Sequence, residues 1–130
     1  MEKINLKITT GAYAQPYFCE GGRLEDDRQL VYEWIEDSDP NEGQSKYRLT
    51  YDKTTKKAFI KRSGAVEGTL HFEAGAKTTG SLKTGYGTMD LHIETFYINV
   101  PNIFVRNLEI SYKVAENPDL ANNRFIISET

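Results

Sequence analysis

The sequence predicts an all-β fold: an antiparallel up-and-down barrel of about eight or nine strands. Three observations carry that expectation. Between Lys56 and Thr95, several short alternating segments follow one another with only Gly-bearing turns between them. No window of about eleven residues shows a strong helical period. Tyr (8) and Phe (6) are plentiful, as strands favour. A meander this long avoids exposed edges by closing on itself, so a barrel is preferred and a two-sheet sandwich comes second.

Length and composition set the frame. The chain has 130 residues, which suits one domain over 1–130. Its 38% apolar and 27% charged shares are those of a folded protein. The net charge of -3, from 16 basic and 19 acidic residues, argues against general nucleic-acid binding. Lys53, Lys56, Lys57, Lys61 and Arg62 form a local basic cluster that reads as a charged turn and a strand's outer face. Cys19 is the sole cysteine, so no internal disulfide and no thiolate zinc cluster is expected. No apolar run approaches the roughly 18 residues that span a bilayer, and the first residues do not read as a signal peptide. These features favour the cytoplasm, with no membrane partner.

Each element follows from period two. Ile4, Leu6 and Ile8 alternate with polar residues and predict the first strand. Tyr13, Tyr17 and Phe18 surround Pro16, which lacks a donor, so this segment reads as an edge or a bend. The polar stretch through Glu20, Gly21, Gly22, Asp26 and Asp27 reads as a connection. Gln29–Glu36 is the next strand, with the Leu30, Tyr32, Trp34 face preferred as the buried one because Glu33 sits on the other. Asp37–Gln44 reads as a polar loop, and Tyr47, Leu49 and Tyr51 mark a strand after it.

Asp52–Lys56 makes a hairpin turn into Ala58 and Ile60, with Arg62 on their side. Leu70, Phe72 and Ala74 define another strand, Lys77–Thr84 a polar one, and Gly85-Tyr86-Gly87 a flexible joint. Met89, Leu91 and Ile93 begin a strand that continues toward Phe96 and Ile98. A turn at Asn99–Asn102 leads to the strand of Leu108, Ile110, Tyr112 and Val114. Glu116–Asn123 is a loop and Arg124–Ser128 the last strand.

Several of these residues carry a resemblance. Arg62-Ser63-Gly64-Ala65-Val66, Phe72 with Gly75, and Tyr86-Gly87 with Met89 leading to Leu91 and Thr95 resemble the YwiB-like family. The resemblance implies a small bacterial cytosolic protein of unknown function with a calycin-like (lipocalin-like) β-barrel. It covers about Lys57 to Thr95, is looser from Leu108 to Ser128 and vague before Gln29. One register places Thr9–Tyr13 on a later strand of the family, which implies a shortened N-terminus and an incomplete barrel. The family has no established activity, so it implies no catalytic residue.

Arg62 is the foremost candidate for chemistry. Its parity with Ala58 and Ile60 points it at the apolar face, where a lone guanidinium must meet a carboxylate, carbonyls or water. It is read either as an anchor for an anionic ligand at a barrel mouth or as a structural group closing a barrel end. Tyr86 could donate a hydrogen bond into a cavity or simply mark a kink at its two glycines. Tyr32, Trp34, Tyr47, Tyr51 and Tyr112 are candidate cavity-lining aromatics, or core.

His71 with Glu73, and Asp90, His92 and Glu94, form the one plausible metal constellation, though their alternation with apolar residues points them at solvent. Ser63 lacks a nucleophile elbow, Cys19 has no local His, and no glycine-rich phosphate loop precedes a helix. No cofactor is implied.

Three readings of function are therefore carried. The first is a non-enzymatic barrel binding a small anionic or amphipathic ligand near Arg62, with Tyr86, Tyr32, Trp34 and Tyr112 around it. The second is an interaction or regulatory module acting through its outer face or a sheet edge, including as a homodimer. The third is an enzyme of unnamed reaction.

Overall fold

The computed structural model describes residues 1–11, 15–39, 43–64, 66–117 and 123–130. Ten strands follow in chain order. They are β1 (Glu2–Thr9), β2 (Tyr17–Glu25), β3 (Gln29–Asp39), β4 (Gly43–Asp52), β5 (Lys57–Gly64), β6 (Glu67–Glu73), β7 (Lys77–Thr84), β8 (Gly87–Asn99), β9 (Asn107–Val114) and β10 (Asn123–Glu129). Each pairs antiparallel with its sequence neighbours, and β1 pairs with both β2 and β10, so the sheet closes into an up-and-down barrel. The expected fold is therefore present, and the barrel is closed by β1, not left incomplete. Among the described strands the barrel leaves no open edge, which removes the sheet-edge route to a partner.

Two expectations about individual segments are corrected. Residues 17–25, read as the end of an edge or a bend followed by a polar connection, form the full strand β2, paired on both sides. Its ladder to β1 sets Tyr17, Cys19, Gly21 and Arg23 opposite Ile8, Leu6, Ile4 and Glu2, so these four face inward. A strand can be polar on its inner face where the barrel interior itself is polar, and that hides the alternation. Residues 37–44 are also not all loop: β3 runs to Asp39 and β4 starts at Gly43. Residues 40–42, like 12–14, 65 and 118–122, lie outside the described ones.

The Leu30 face of β3 is the inner one, as preferred, although Val31 on the outer face is also fully buried. The turn after β6 uses Gly75 at φ 75°, a left-handed conformation that costs glycine no Cβ clash. In β8 a bulge between Thr95 and Tyr97 shifts the register against β9.

The core is a stack of inward side chains that includes Leu6, Ile8, Leu49, Phe72, Ile93, Leu108, Ile110 and Ile127, each at most 1% exposed. Burying each such side chain contributes roughly 1.5–3 kcal/mol before entropy is counted. The barrel end where β1 begins and β10 finishes is closed by charge. There the Glu129 carboxylate, only 6% exposed, lies 3.0 Å from Arg23 Nε and 2.8 Å from Arg106 Nε. Arg23 also pairs with Glu25, which accepts from Lys53 Nζ at 2.9 Å. Tyr32, fully buried, sits opposite Arg23 in the β2–β3 ladder. Burial and the Glu129 charge push its hydroxyl pKa up to about 12.

Candidate functional site

The opposite end of the barrel holds a cavity of about 530 Å³. Its position follows from strand direction. It collects the C-terminal ends of β1, β5, β7 and β9 and the N-terminal ends of β4, β6, β8 and β10. The walls are aliphatic: Ile60, Leu70, Leu82, Leu91 and Val114, with Met89. Polar groups lie among them, namely Arg62, Tyr47 and Tyr112 on the strands and Thr10, Glu116, Asn117 and Asn123 farther along the chain. The pairing also explains why there is space. Arg62 faces Gly68 across β5–β6, and Gly68 faces Leu82 across β6–β7, so one inward position in this row carries no side chain.

Arg62 points inward, as its parity requires, and is half-buried. Its Nη2 donates to Ser45 Oγ at 3.2 Å, and its guanidinium carbon stands 5.4 Å from the centre of the Tyr47 ring. Its Nε is shielded from solvent with no hydrogen-bond partner, and no carboxylate lies within ion-pair distance of it among the described residues. The other inward arginine, Arg23, has Glu129. At the charged end Arg23 closes the barrel against a glutamate, and the sequence pattern did not show its place inside the barrel.

Behind Arg62 the aromatic rings form a stack. Tyr47 lies on Trp34 with centroids 5.3 Å apart and planes 7° apart, and Trp34 lies on Phe125 at 5.9 Å. Trp34 Nε1 donates to the Tyr17 hydroxyl at 3.0 Å, and that hydroxyl faces the buried Glu36 carboxylate at 3.5 Å. Burial drives the Tyr17 pKa far above its ordinary value. Tyr112 lines the cavity and meets Phe72 edge-on at 5.1 Å; burial raises its hydroxyl pKa too.

Of the five expected ligand-site residues, Arg62 and Tyr112 border the cavity and three do not. Tyr86 projects fully into solvent at the β7–β8 turn, because two flanking glycines put it at the tip and not on an inner face. Tyr32 is at the charged end of the barrel, and Trp34 is core behind Tyr47. Tyr47, one of the wider aromatic set, does line the cavity, whereas Tyr51 is core. Glu116 and Asn123 gave no signal in the sequence, since both sit at the polar β9–β10 connection. Glu116 accepts from the His92 backbone N–H at 2.6 Å, and its second oxygen lies 2.9 Å from His92 Nδ1. These contacts hold its carboxyl below the ordinary range.

The metal candidates are on the outer surface. His71, Asp90 and His92 border a shallow groove across β6, β7 and β8. Glu73 and Glu94 instead pair with Lys57 and Lys113. Among the described residues, no three His, Cys, Asp or Glu side chains gather closely enough to hold a metal ion. Nor is any helix there long and apolar enough to cross a membrane.

Fold and site together define a small closed antiparallel barrel, hollow at one end. Residues 7–125 match the family described as Domain of unknown function (DUF1934), and the chain belongs to that family. It is also similar to the crystal structure of the ywiB protein from Bacillus subtilis, with a TM-score of 0.71 and 18% identity, over 96% of this chain and 87% of that one. At that identity the likeness concerns the fold. No curated protein matches the chain.

Proposed function

We propose that the protein is a non-enzymatic cytoplasmic barrel that binds one small anionic or amphipathic ligand in the cavity beside Arg62. The single observation that carries this reading is the state of Arg62. A half-buried guanidinium, 5.4 Å from the Tyr47 ring centre and lining a largely aliphatic cavity, has no carboxylate partner among the described residues. An uncompensated charge in such surroundings is costly, and an anion entering the cavity offsets the cost. Aliphatic walls around one oriented polar group are the usual make-up of a small-molecule site. A lone cysteine suits a reducing compartment.

Native mass spectrometry of freshly purified protein, followed by thermal-shift screening against organic acids and lipids, tests the reading. A one-to-one adduct that stabilises the wild type and not Arg62→Gln is expected. Tyr86→Ser, altered at a fully exposed turn residue that does not line the cavity, keeps the response. Ligand shifts of equal size in wild type and Arg62→Gln would contradict the proposal.

A second reading, an interaction module, has one observation of its own. Between β8 and β9, Ile103 and Phe104 are 87% and 86% exposed. They sit on a turn fixed by Asn102 Oδ1, which accepts from the Phe104 and Val105 backbone N–H groups at 2.8 and 2.9 Å. Sedimentation of wild type against Phe104→Ser tests self-association through this turn; a monomer in both cases excludes it.

A further inference from the structure

We propose, resting on the binding reading above, that the ligand is a compact monocarboxylate with a short aliphatic body, not a phosphate ester and not a long-chain lipid. Charge is the first argument. Of the described residues lining the cavity, Arg62 is the one cation, and Glu116, the one acid, is engaged by His92 and not by Arg62. Hydrogen bonds from His92 keep Glu116 ionised. One added negative charge matches one unpaired guanidinium. A phosphate monoester brings nearly two charges and needs a cage of donors that Arg62 alone does not form.

Geometry is the second. The guanidinium carbon stands 5.4 Å from the centre of the Tyr47 ring, and one Nη2 hydrogen is used by Ser45. Nε is shielded from solvent, so what remains for a ligand is the Nη edge of a planar fork. Two coplanar carboxylate oxygens fit such a fork in a bidentate way. The walls supply no second charged side chain for a zwitterion's ammonium except Glu116, beyond ion-pair reach of Arg62.

Depth is the third. Ile60, Leu70 and Leu91 are the innermost cavity residues on their strands. The next inward positions, Ala58, Phe72 and Ile93, are at most 2% exposed and belong to the closed core. Leu49, the ladder partner of Ile60, and Leu108 and Ile110 are fully buried, so among the described residues no solvent-reached lining continues for a long tail. The aliphatic lining suits a hydrocarbon body that stops at Ile60 and Leu91.

Titration calorimetry of the full chain against straight-chain carboxylates from acetate to hexadecanoate, with matched alkyl phosphates and alkanols, tests this. The expected result is one carboxylate per chain, an optimum at intermediate length, and matched phosphates and alkanols weaker by roughly tenfold or more. Arg62→Met weakens the best carboxylate by a similar factor, and Leu82→Phe moves the optimum to a shorter chain. Circular dichroism checks that each variant folds; if Arg62→Met does not, the carboxylate–alkanol contrast in wild type decides alone. Tighter binding of phosphates or hexadecanoate overturns the monocarboxylate assignment and leaves the binding barrel standing. Wild-type protein that binds no member of the panel overturns both.

Discussion

The guanidinium of Arg62 stands over the ring of Tyr47, 5.4 Å from carbon to centroid, on adjacent strands whose ladder pairs these two residues directly. Tyr47 in turn lies flat on Trp34, the only tryptophan of the chain. The stack thus couples the cavity wall to a fluorophore. Tyr47→Leu is expected to lower stability by about 1–2 kcal/mol, through lost cation–π and ring stacking. It should also alter Trp34 emission. Urea unfolding followed by fluorescence reads both; an unchanged spectrum and midpoint would show the stack to be energetically idle.

The far end of the barrel makes a different prediction. Glu129 lies between Arg23 and Arg106 with its side chain 6% exposed. Removing one member of a buried ionic group leaves the others uncompensated, at roughly 3 kcal/mol. Glu129→Gln should therefore cost about that much, and Glu129→Met combined with Arg23→Met distinctly less than the two single changes added together. Additive losses in a double-mutant cycle would show that the pair is not coupled.

Acid should loosen the contact between β8 and the residues after β9. The Glu116 carboxyl is held below its ordinary pKa by its hydrogen bonds to His92. A group whose folded pKa is depressed stabilises fully above its unfolded value, here 4.5, and loses that contribution as pH falls through the lower folded value. Stability should decline below about pH 4.5 less steeply in Glu116→Gln than in wild type. Carboxyl NMR titration locates the midpoint directly; a Glu116 midpoint at 4.5 would abolish the effect and one above it would reverse the sign.

Cys19 faces the barrel interior, and burial, helped by the Glu36 charge, raises its thiol pKa above 9.0. Thiolate is the reactive form. Alkylation of native protein near neutral pH should be much slower than that of a denatured sample, with the rate rising when unfolding is promoted. Equal rates in both states would place the thiol in water.

The legibility of this fold in its sequence depended on what each strand buries. Where the inner row is hydrocarbon, as with Leu6 and Ile8, Leu30 and Tyr32, or Leu108 and Ile110, alternation showed the strand and its inner face. It failed at β2, whose inner row is Tyr17, Cys19, Gly21 and Arg23, a sequence with no hydrophobic beat. The site was legible in the same partial way. Parity turned Arg62 inward correctly, but parity fixes a side chain's face and says nothing of its height along the barrel axis. Height comes from register: Tyr32 pairs with Arg23 at the charged end, whereas Tyr112 pairs with Asn123 at the hollow one. Tyr86 escaped the rule altogether because a turn has no inner face.

One ladder has a practical corollary for handling the molecule. Asn5 accepts a hydrogen bond from the Thr130 amide at 3.0 Å, and Glu2 pairs with Arg23 beneath the ionic lid. Both tails of the described chain therefore emerge side by side from the sealed base. A tether, label or sensor surface attached at either tail leaves the Arg62 opening directed at the solution.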